Sequence, residues 1–401
     1  MESSNIYNNL PLELWTNHIL PTLPVKTLLR FRSVCKLWRD TIDDLHFVSK
    51  HFTLSMNNAD KNQVLSIEKV EPQEKQPQPA RRLTVRNKNT LRKQADLFEQ
   101  PDTNYYFASC NGLFLVQPIV VNVDEEWRPL EICTPKLWNP SIRKSLTLPT
   151  CPLPRDSLLF NKVINQYVFG FRPSRDDYVV FAFRVEAIMP MNVSVAVYTL
   201  SDNLWNIRDY NLSLSPHLFF MLSHGGGIFC PDGVLHWFGR DLHPMSDRSG
   251  HCLDTRLISF DFEIEKFSDL ELPDVNQAAN AQQSFRRLFV LGESLALFSI
   301  SSKWSSIWVL KDKLWNLWFT GTKWFAGFDY IRKNPSVYHT RVFVENGGDI
   351  TLVYGKASYK IMSDEIQEFN ELLNWSSLRL DTYIESLVLH KGCRGQIIDS
   401  L

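Results

Sequence analysis

The sequence has no long hydrophobic run, no paired cysteine motif and almost no net charge. No apolar stretch approaches the roughly 20 residues that span a bilayer, and the N-terminus lacks the basic start and apolar core of a secretory signal. The seven cysteines are widely spread and form no Cys-x-x-Cys pair, which favours reduced thiols. With a formal net charge of −1, the chain has no overall electrostatic attraction to nucleic acid or to a membrane. We therefore expect a cytoplasmic and/or nuclear protein that is not secreted and that binds neither membranes nor nucleic acid.

Motifs of catalysis are also missing. The sequence contains no Walker loop, no Gly-x-Gly-x-x-Gly, no Gly-x-Ser-x-Gly and no His-Glu-x-x-His. The best metal candidate is a segment that holds His224, Cys230, His236, His243, His251 and Cys252. Structural zinc sites usually pair ligands about two to five residues apart, whereas these spacings are irregular. We expect no metal, no cofactor and no catalytic residue.

Aromatic residues are abundant. The chain contains 26 Phe, 12 Trp and 12 Tyr, and 44% of its residues are hydrophobic against 22% charged. Aromatic richness favours β-strands, and this balance of apolar and charged residues is typical of a folded globular protein. Because 401 residues exceed one ordinary small domain, we expect a large repeat-built body and a smaller element.

The first fifty residues have helical periodicity. Pro11 and Pro24 each precede a helical pattern, and proline is tolerated in a first helical turn because its missing N–H would be unbonded there. After Pro24 the pattern predicts one apolar helical stripe, formed by Leu28, Phe31, Val34, Cys35 and Trp38. About forty residues bury too little surface to be stable alone. The unit therefore either binds a partner or caps the rest of the chain.

Within residues 10–42, the string LPLEL…IL…LPVKTLLRFRSVCKLWRDTI resembles the F-box. The interval between Leu10 and Leu23 is one residue longer than usual and contains Pro21. The resemblance implies a three-helix unit that binds a Skp-type adaptor and, through it, a cullin ligase. The residues that we expect to contact this adaptor are Leu10, Pro11, Leu14, Ile19, Leu20, Leu23, Pro24, Val25, Leu28, Leu29, Phe31, Val34 and Trp38.

Residues 51–104 predict a polar connecting region with possible first strands. They include EPQEKQPQPARR, whose density of Pro, Gln and charge indicates a loop. QVLSI and RRLTV are candidate short strands. The basic run between Arg81 and Lys93 is interpreted as a solvated loop, since no aromatic interleaving accompanies it.

From residue 105 to residue 401, short apolar runs recur between turn residues. In VSVAVYTL, for example, Val193, Val195 and Val197 share one face, as the period of a strand requires. Glycines lie at or beside turns at intervals of 56 to 63 residues, at positions 112, 170, 233, 292 and 348. A period near sixty with several strands per unit is typical of a propeller, and an irregular multi-sheet β domain is the alternative.

Three aromatic pairs, each seven residues apart, flank predicted turns in this region. They are Tyr198 with Trp205, Phe260 with Phe267, and Trp308 with Trp315. Aromatic side chains on the two strands of a hairpin can pack against each other. We therefore expect each pair to meet across its hairpin.

The same region resembles the F-box-associated domain of plant F-box proteins, which is related to Kelch-repeat propellers. The segments that carry the resemblance are SCNGLFLV (109–116), LWNPSIRKSLTLP (137–149), FGFRPSRDDYVV (169–180), VYTLSDNLW (197–205), DGVLHWF (232–238), ISFDFEIEKFSDLELP (258–273), IWVLKDKLW (307–315) and YIESLV (383–388). The paired glycines of a strict Kelch repeat are mostly missing, with Gly225-Gly226-Gly227 as the exception. The resemblance implies a mainly β fold in which a small helical F-box precedes a Kelch-like β-propeller.

These features predict an F-box helical domain over 1–50, a connecting region over 51–104 and a substrate-recognition domain over 105–401. The expected function is that of the substrate-recognition subunit of a Skp–cullin–F-box ubiquitin ligase, which tethers a protein substrate and supplies no catalytic residue. Loops on a rigid scaffold commonly carry recognition, and the candidate loops here are 150–160, 240–256 and 273–285. The alternatives are a non-ligase β-propeller scaffold, in which the helices cap the body, and a propeller enzyme.

Overall fold

A computed structural model defines the architecture. It describes residues 11–57, 63–70, 80–88, 90–101, 104–118, 134–153, 163–186, 192–208, 228–229, 232–240, 254–273, 285–300, 305–321, 341–344, 350–354, 357–360, 365–368, 379–389 and 398–400. Within these ranges, all α-helices precede residue 58 and all strands follow residue 62. In the same part of the chain, no helix is both long and apolar enough to cross a membrane.

The first helical segment changes its winding along its length. It begins as an α-helical turn (α1, Leu12–Leu14), continues as a π-helix (Trp15–Ile19) and ends as a 3₁₀ turn (Leu20–Thr22). A short π-helical stretch takes up an extra residue without breaking the helix. This stretch therefore accounts for the interval before Leu23 that is one residue longer than the usual F-box spacing.

Three further helices follow: α2 (Val25–Phe31), α3 (Lys36–Ile42) and α4 (Leu45–Asn57). The prediction of one continuous helical stripe from Leu28 to Trp38 is wrong, because the chain breaks between α2 and α3. Cys35 is extended, with φ −156° and ψ 164°. The guanidinium of Arg32 donates to both carboxylate oxygens of Asp43, at 2.6 and 2.7 Å, and so holds the end of α3 beside the end of α2. This hydrogen bonding raises the pKa of Arg32.

The rest of the described chain is built from antiparallel strands. In chain order they are β1 (Gln63–Val70), β2 (Ala80–Asn87), β3 (Lys93–Pro101), β4 (Asn104–Cys110), β5 (Leu113–Pro118), β6 (Lys136–Asn139), β7 (Lys144–Thr147), β8 (Val163–Arg172), β9 (Asp177–Glu186), β10 (Asn192–Thr199), β11 (Leu204–Arg208), β12 (Ile228–Phe229), β13 (Val234–Arg240), β14 (Asp254–Asp261), β15 (Lys266–Glu271), β16 (Phe285–Leu291), β17 (Ser294–Ile300), β18 (Ser305–Lys311), β19 (Leu314–Gly321), β20 (Arg341–Val344), β21 (Ile350–Tyr354), β22 (Ala357–Lys360), β23 (Glu365–Glu368), β24 (Arg379–Thr382) and β25 (Ile398–Ser400).

The described strands form six sheets, which are the blades of a β-propeller. The first blade has the order β24-β1-β2-β3, and the second has β4-β5-β6-β7 with β25 added outside β7. Four more blades follow in chain order, β8–β11, β12–β15, β16–β19 and β20–β23. The first strands of successive blades contact one another, as β4 does β8 and β16 does β20. Radial stacking of this kind gives each sheet neighbours on both faces.

The ring of blades is closed by a late strand. β24 pairs antiparallel with β1, so that Thr382 lies opposite Val64 and Arg379 lies opposite Ile67. The stretch predicted as a connecting region, 51–104, holds the end of α4 and three strands of this first blade. Arg86, from its basic run, is buried and donates to Glu68 at 3.0 Å, so it is not a solvated side chain.

The connections between strands leave the propeller from two opposite faces. Because antiparallel strands alternate in direction, the first-to-second and third-to-fourth connections that the structure describes lie on one face. The helices contact this face through Ile142, between β6 and β7, and through Leu387, which follows β24. We call it the near face. The second-to-third connections and the connections between blades leave from the far face.

Three of the four glycine landmarks that the structure describes mark near-face turns. Gly112, Gly233 and Gly292 have φ of +80°, +84° and +64°, a region that glycine adopts without strain. The assignment of Gly170 to a turn is wrong, since it lies inside β8. A Cβ there would lie 2.5 Å from the ring of Phe262, so close packing, not a turn, requires this glycine. Gly348 lies outside the described residues.

Two of the three aromatic pairs are confirmed. The rings of Tyr198 and Trp205 are 5.5 Å apart in directly opposed positions, and those of Phe260 and Phe267 are 4.6 Å apart. The third prediction is wrong, because Trp308 lies opposite Leu317. The hairpin between β18 and β19 has only two loop residues, whereas the hairpins of the other two pairs have four. The shorter turn moves the register by two residues.

Candidate partner-binding site

The helical domain has its own hydrophobic core. Leu20, Val25 and Leu28 are buried in one cluster together with Ile42, Phe47 and Leu387. These three residues were predicted as adaptor contacts; they are buried here, and their role in adaptor binding stays a prediction. Leu10 lies outside the described residues.

Other predicted contacts are accessible. Pro11, Leu14, Pro24 and Val34 are exposed, and Ile19, Leu23, Leu29, Phe31 and Trp38 are partly exposed. Val34 has 61% of its surface exposed, compared with 39% for Leu14. It lies in the break between α2 and α3, so the break that the sequence did not predict presents this side chain.

Three partly exposed aromatic rings pack together in this part of the helical domain. Trp38 lies 5.6 Å from Trp15 and 4.9 Å from Phe31, measured between ring centroids. Leu37, which is 46% exposed, precedes Trp38 in α3. Sequence reasoning missed Trp15 and Leu37, because neither falls on the single stripe that periodicity predicted. We define the F-box apolar surface by the six residues Leu14, Trp15, Phe31, Val34, Leu37 and Trp38.

Charged residues accompany this surface. Arg30, Lys36 and Arg39 lie on α2 and α3 and are exposed. Exposed apolar and aromatic side chains with charged residues around them are typical of protein–protein interfaces. A Trp-containing centre is also typical of the residues that dominate binding energy. The arrangement therefore suits a protein partner.

The predicted substrate loops lie largely outside the described residues, but their ends are defined. Loop 150–160 follows β7, loop 240–256 joins β13 to β14, and loop 273–285 follows β15. The first and third connect blades and the second joins a second strand to a third. By strand direction all three leave from the far face, opposite the helices. Their role in substrate contact stays a prediction.

The histidine of the metal candidate that the structure describes has a local partner. His236 is buried on β13, and its Nδ1 shares a hydrogen bond of 2.7 Å with Ser259 Oγ. Burial lowers the pKa of His236 to about 4. The other histidines and cysteines of that candidate lie outside the described residues. Among those that are described, no group of three or more His, Cys, Asp or Glu side chains is placed to hold a metal ion.

Comparisons with known families agree with this architecture. The F-box domain model matches residues 8–50, and the model described as F-box associated beta propeller domain matches residues 51–361. The F-box places the chain in the class of F-box proteins, and the propeller that follows it matches the family of propellers associated with that domain. The chain belongs to the F-box-associated β-propeller family.

Relatives from Arabidopsis thaliana carry the same class of name. The chain is 24% identical to the F-box protein CPR1 over 97% of this chain and 90% of that protein. It is 25% identical to the F-box/kelch-repeat protein At3g23880 over 66% of each chain. Among solved structures, the Pseudomonas aeruginosa periplasmic gluconolactonase PpgL is similar at 8% identity, with a TM-score of 0.34, over 80% of this chain and 99% of that one. A likeness at that level carries no argument about activity.

Proposed function

We propose that this protein is the substrate-recognition subunit of a Skp–cullin–F-box ubiquitin ligase. In this function the F-box apolar surface binds a Skp-type adaptor, and the propeller holds a protein substrate. The contribution to catalysis is proximity, because tethering raises the effective concentration of substrate near the ubiquitin-charged enzyme. The chain itself supplies no catalytic residue and acts in the cytoplasm and/or the nucleus.

The observation that carries this proposal is the exposure of the F-box apolar surface. If the helices only capped the propeller, their apolar residues would be covered by it. Leu20 and Leu28 are buried in the core of the helical domain together with Leu387, but Val34 and Leu37 are exposed. Exposed apolar residues around Trp38 and Phe31 favour an external partner over a cap.

The experiment measures binding of the purified full chain to a purified Skp-type adaptor by isothermal titration calorimetry. The test variant is Val34→Asp with Leu37→Asp, because both side chains are exposed and the changes leave the core intact. Burying an unpaired charge in an interface is expected to reduce affinity by a hundredfold or more. Leu28→Asp is unsuitable, since Leu28 is buried and the variant would unfold the F-box.

The matched control is Leu45→Asp. Leu45 is 68% exposed at the start of α4, outside the F-box apolar surface. Circular dichroism checks that all three proteins are folded. Wild-type binding that the double variant loses and the control keeps supports the proposal. Absence of binding by folded wild-type protein rejects it.

A further inference from the structure

The segment that follows β24, residues 383–389, runs between the propeller and the F-box. We call it the junction segment. At its start, the Tyr383 N–H donates to the carbonyl of Gln63, the first residue of β1, at 3.2 Å. Some residues of the segment then contact the propeller, and others contact the F-box. The segment therefore connects the two, in addition to following the strand that closes the ring of blades.

One set of contacts fixes the junction segment to the second blade. The side-chain amide of Asn139 donates to the carbonyls of Ser386 and Val388, at 2.9 and 2.7 Å. Asn139 is fully buried at the end of β6, and its own oxygen accepts from the Ser141 N–H at 2.9 Å. A buried, fully engaged amide of this kind holds the backbone of the segment in one position.

Gly112 allows this close approach. A Cβ at Gly112 would lie 2.7 Å from the Ile384 carbonyl oxygen and 2.9 Å from Ser386 Cβ. No other residue fits beneath the segment without displacing it. Three segments that carried the family resemblance, 109–116, 137–149 and 383–388, therefore meet at one place on the near face.

A second set of contacts reaches into the F-box. The Leu387 side chain is 1% exposed and packs in the cluster of Leu20, Val25 and Leu28. A carboxylate oxygen of Glu385 accepts a hydrogen bond from the Val25 N–H at 3.0 Å. Val25 is the first residue of α2, and Pro24 before it provides no side-chain cap. Glu385 thus satisfies one of the N–H groups that every helix start leaves open.

We propose that Glu385 and Leu387 are positioning residues that complete the F-box and fix the angle of the F-box apolar surface against the propeller. The inference rests on the proposed function for its consequence, which is that adaptor binding depends on a segment far from the F-box in sequence. A fixed angle matters because a substrate on the far face must reach the ubiquitin-charged enzyme. The geometry of the junction itself does not depend on that function.

The test compares Leu387→Ala with Leu389→Ala in the full chain. Leu389 lies two residues further along the same segment and is also buried, but it belongs to the core cluster that contains Cys110 and Leu113 of the second blade. Both variants remove the same atoms from a core. Only the first loosens the F-box, so the pair separates positioning from general stability.

The first readout is the distance distribution between two spin labels. The labels are attached to non-canonical amino acids that replace Lys26 and Lys311, which are exposed on α2 and β18. We expect Leu387→Ala and Glu385→Ala to broaden this distribution about twofold or more. Leu389→Ala should leave it as narrow as in the wild type. Glu385→Gln should retain the wild-type width because it keeps a hydrogen-bond acceptor. Leu387→Met should retain it because it keeps the packed volume.

The second readout is affinity for the Skp-type adaptor. If the binding-competent F-box is only partly populated, apparent affinity falls by that fraction, and we expect about a tenfold loss for Leu387→Ala and none for Leu389→Ala. Unchanged width and affinity in Leu387→Ala, or equal effects in Leu389→Ala, would overturn the inference. If the wild type does not bind the adaptor, the proposed function fails, while the label distances still decide whether the junction fixes the F-box.

Discussion

Arg172, at the end of β8, donates from its Nε to the carbonyl oxygen of Phe262 at 2.8 Å, which links the third blade to the fourth. The same guanidinium bonds to the carboxylate of Glu265. Related links recur on this ring of blades, where Trp205 Nε1 donates to the Pro149 carbonyl at 2.7 Å and Trp315 Nε1 donates to that of Glu271 at 3.1 Å. The links join one blade to its neighbour, so side chains as well as apolar packing hold the ring together.

Replacement of Arg172 by Ala is expected to lower the free energy of unfolding by about 2–3 kcal/mol. The side chain is buried, so its loss leaves a buried carbonyl and a carboxylate without their main donor. The measurement is urea unfolding followed by tryptophan fluorescence. Arg208→Ala is the control, because Arg208 approaches the same Glu265 carboxylate at 3.6 Å from an exposed position. That change should cost less than about 1 kcal/mol, and equal losses in the two variants would contradict the assignment.

Replacement of Gly170 by Ala is expected to cost about 2 kcal/mol. The new Cβ would lie 2.5 Å from the Phe262 ring, so the core must shift. In the double variant with Phe262→Leu, the smaller side chain relieves the clash. The loss of stability in the double variant should therefore be smaller than the sum of the losses in the two single variants. Gly292→Ala, where no atom lies within 4 Å but φ is +64°, gives the cost of backbone strain without a clash, a cost that Gly170 in β8 does not have. Additive losses in the double variant would mean that steric contact with Phe262 is not the reason for Gly170.

The sequence predicted the parts that have a local signal. Alternation in VSVAVYTL gave a strand, and aromatic spacing gave the hairpins of Tyr198–Trp205 and Phe260–Phe267. It failed at the hairpin before Trp315, because two consecutive residues adopt positive φ there without any glycine to indicate it. The length of this turn, and with it the strand register, depends on a left-handed conformation that the residue types of Asp312 and Lys313 do not predict.

Contacts between residues far apart in the chain have no signature in the local sequence pattern. The pairing of β24 with β1 and the insertion of Leu387 into the F-box join residues more than 300 positions apart. Helical periodicity placed Leu28 on an apolar stripe, and the F-box resemblance named Leu20 as well, but neither said what covers these two side chains. Their cover comes in part from Leu387, so the division of the F-box into core and contact surface required the fold.

Replacement of Lys313 by Gly is expected to raise the free energy of unfolding by about 1 kcal/mol. Asp312 and Lys313 form a two-residue hairpin loop with φ of 51° and 61°, where a side chain is strained and glycine is not. Chemical unfolding of the two proteins gives the difference. Lys311→Gly, in β18 before the turn, should have the opposite sign and lower stability by about 1 kcal/mol. A loss of stability in Lys313→Gly would show that this turn does not carry the expected strain.

Acid should weaken the protein in part through His236. Burial lowers the pKa of His236 in the folded state to about 4 from an ordinary value of 6.5. Above pH 6.5 the imidazole is neutral in both states, so the burial has no pH-dependent cost there. As the pH falls from 6.5 toward about 4, the unfolded chain takes up the proton first, and stability decreases by up to about 3 kcal/mol from this group.

The variant His236→Asn isolates that contribution. Its amide reaches the position of the imidazole Nδ1 beside Ser259 but does not titrate. Urea unfolding at pH 7, 6, 5 and 4 should show a smaller decrease in stability for the variant, with the difference confined to the interval below pH 6.5. Carboxylates that titrate in the same range affect both proteins equally and cancel in the comparison. Parallel stability curves would mean that His236 is protonated as easily in the folded protein as in the unfolded chain.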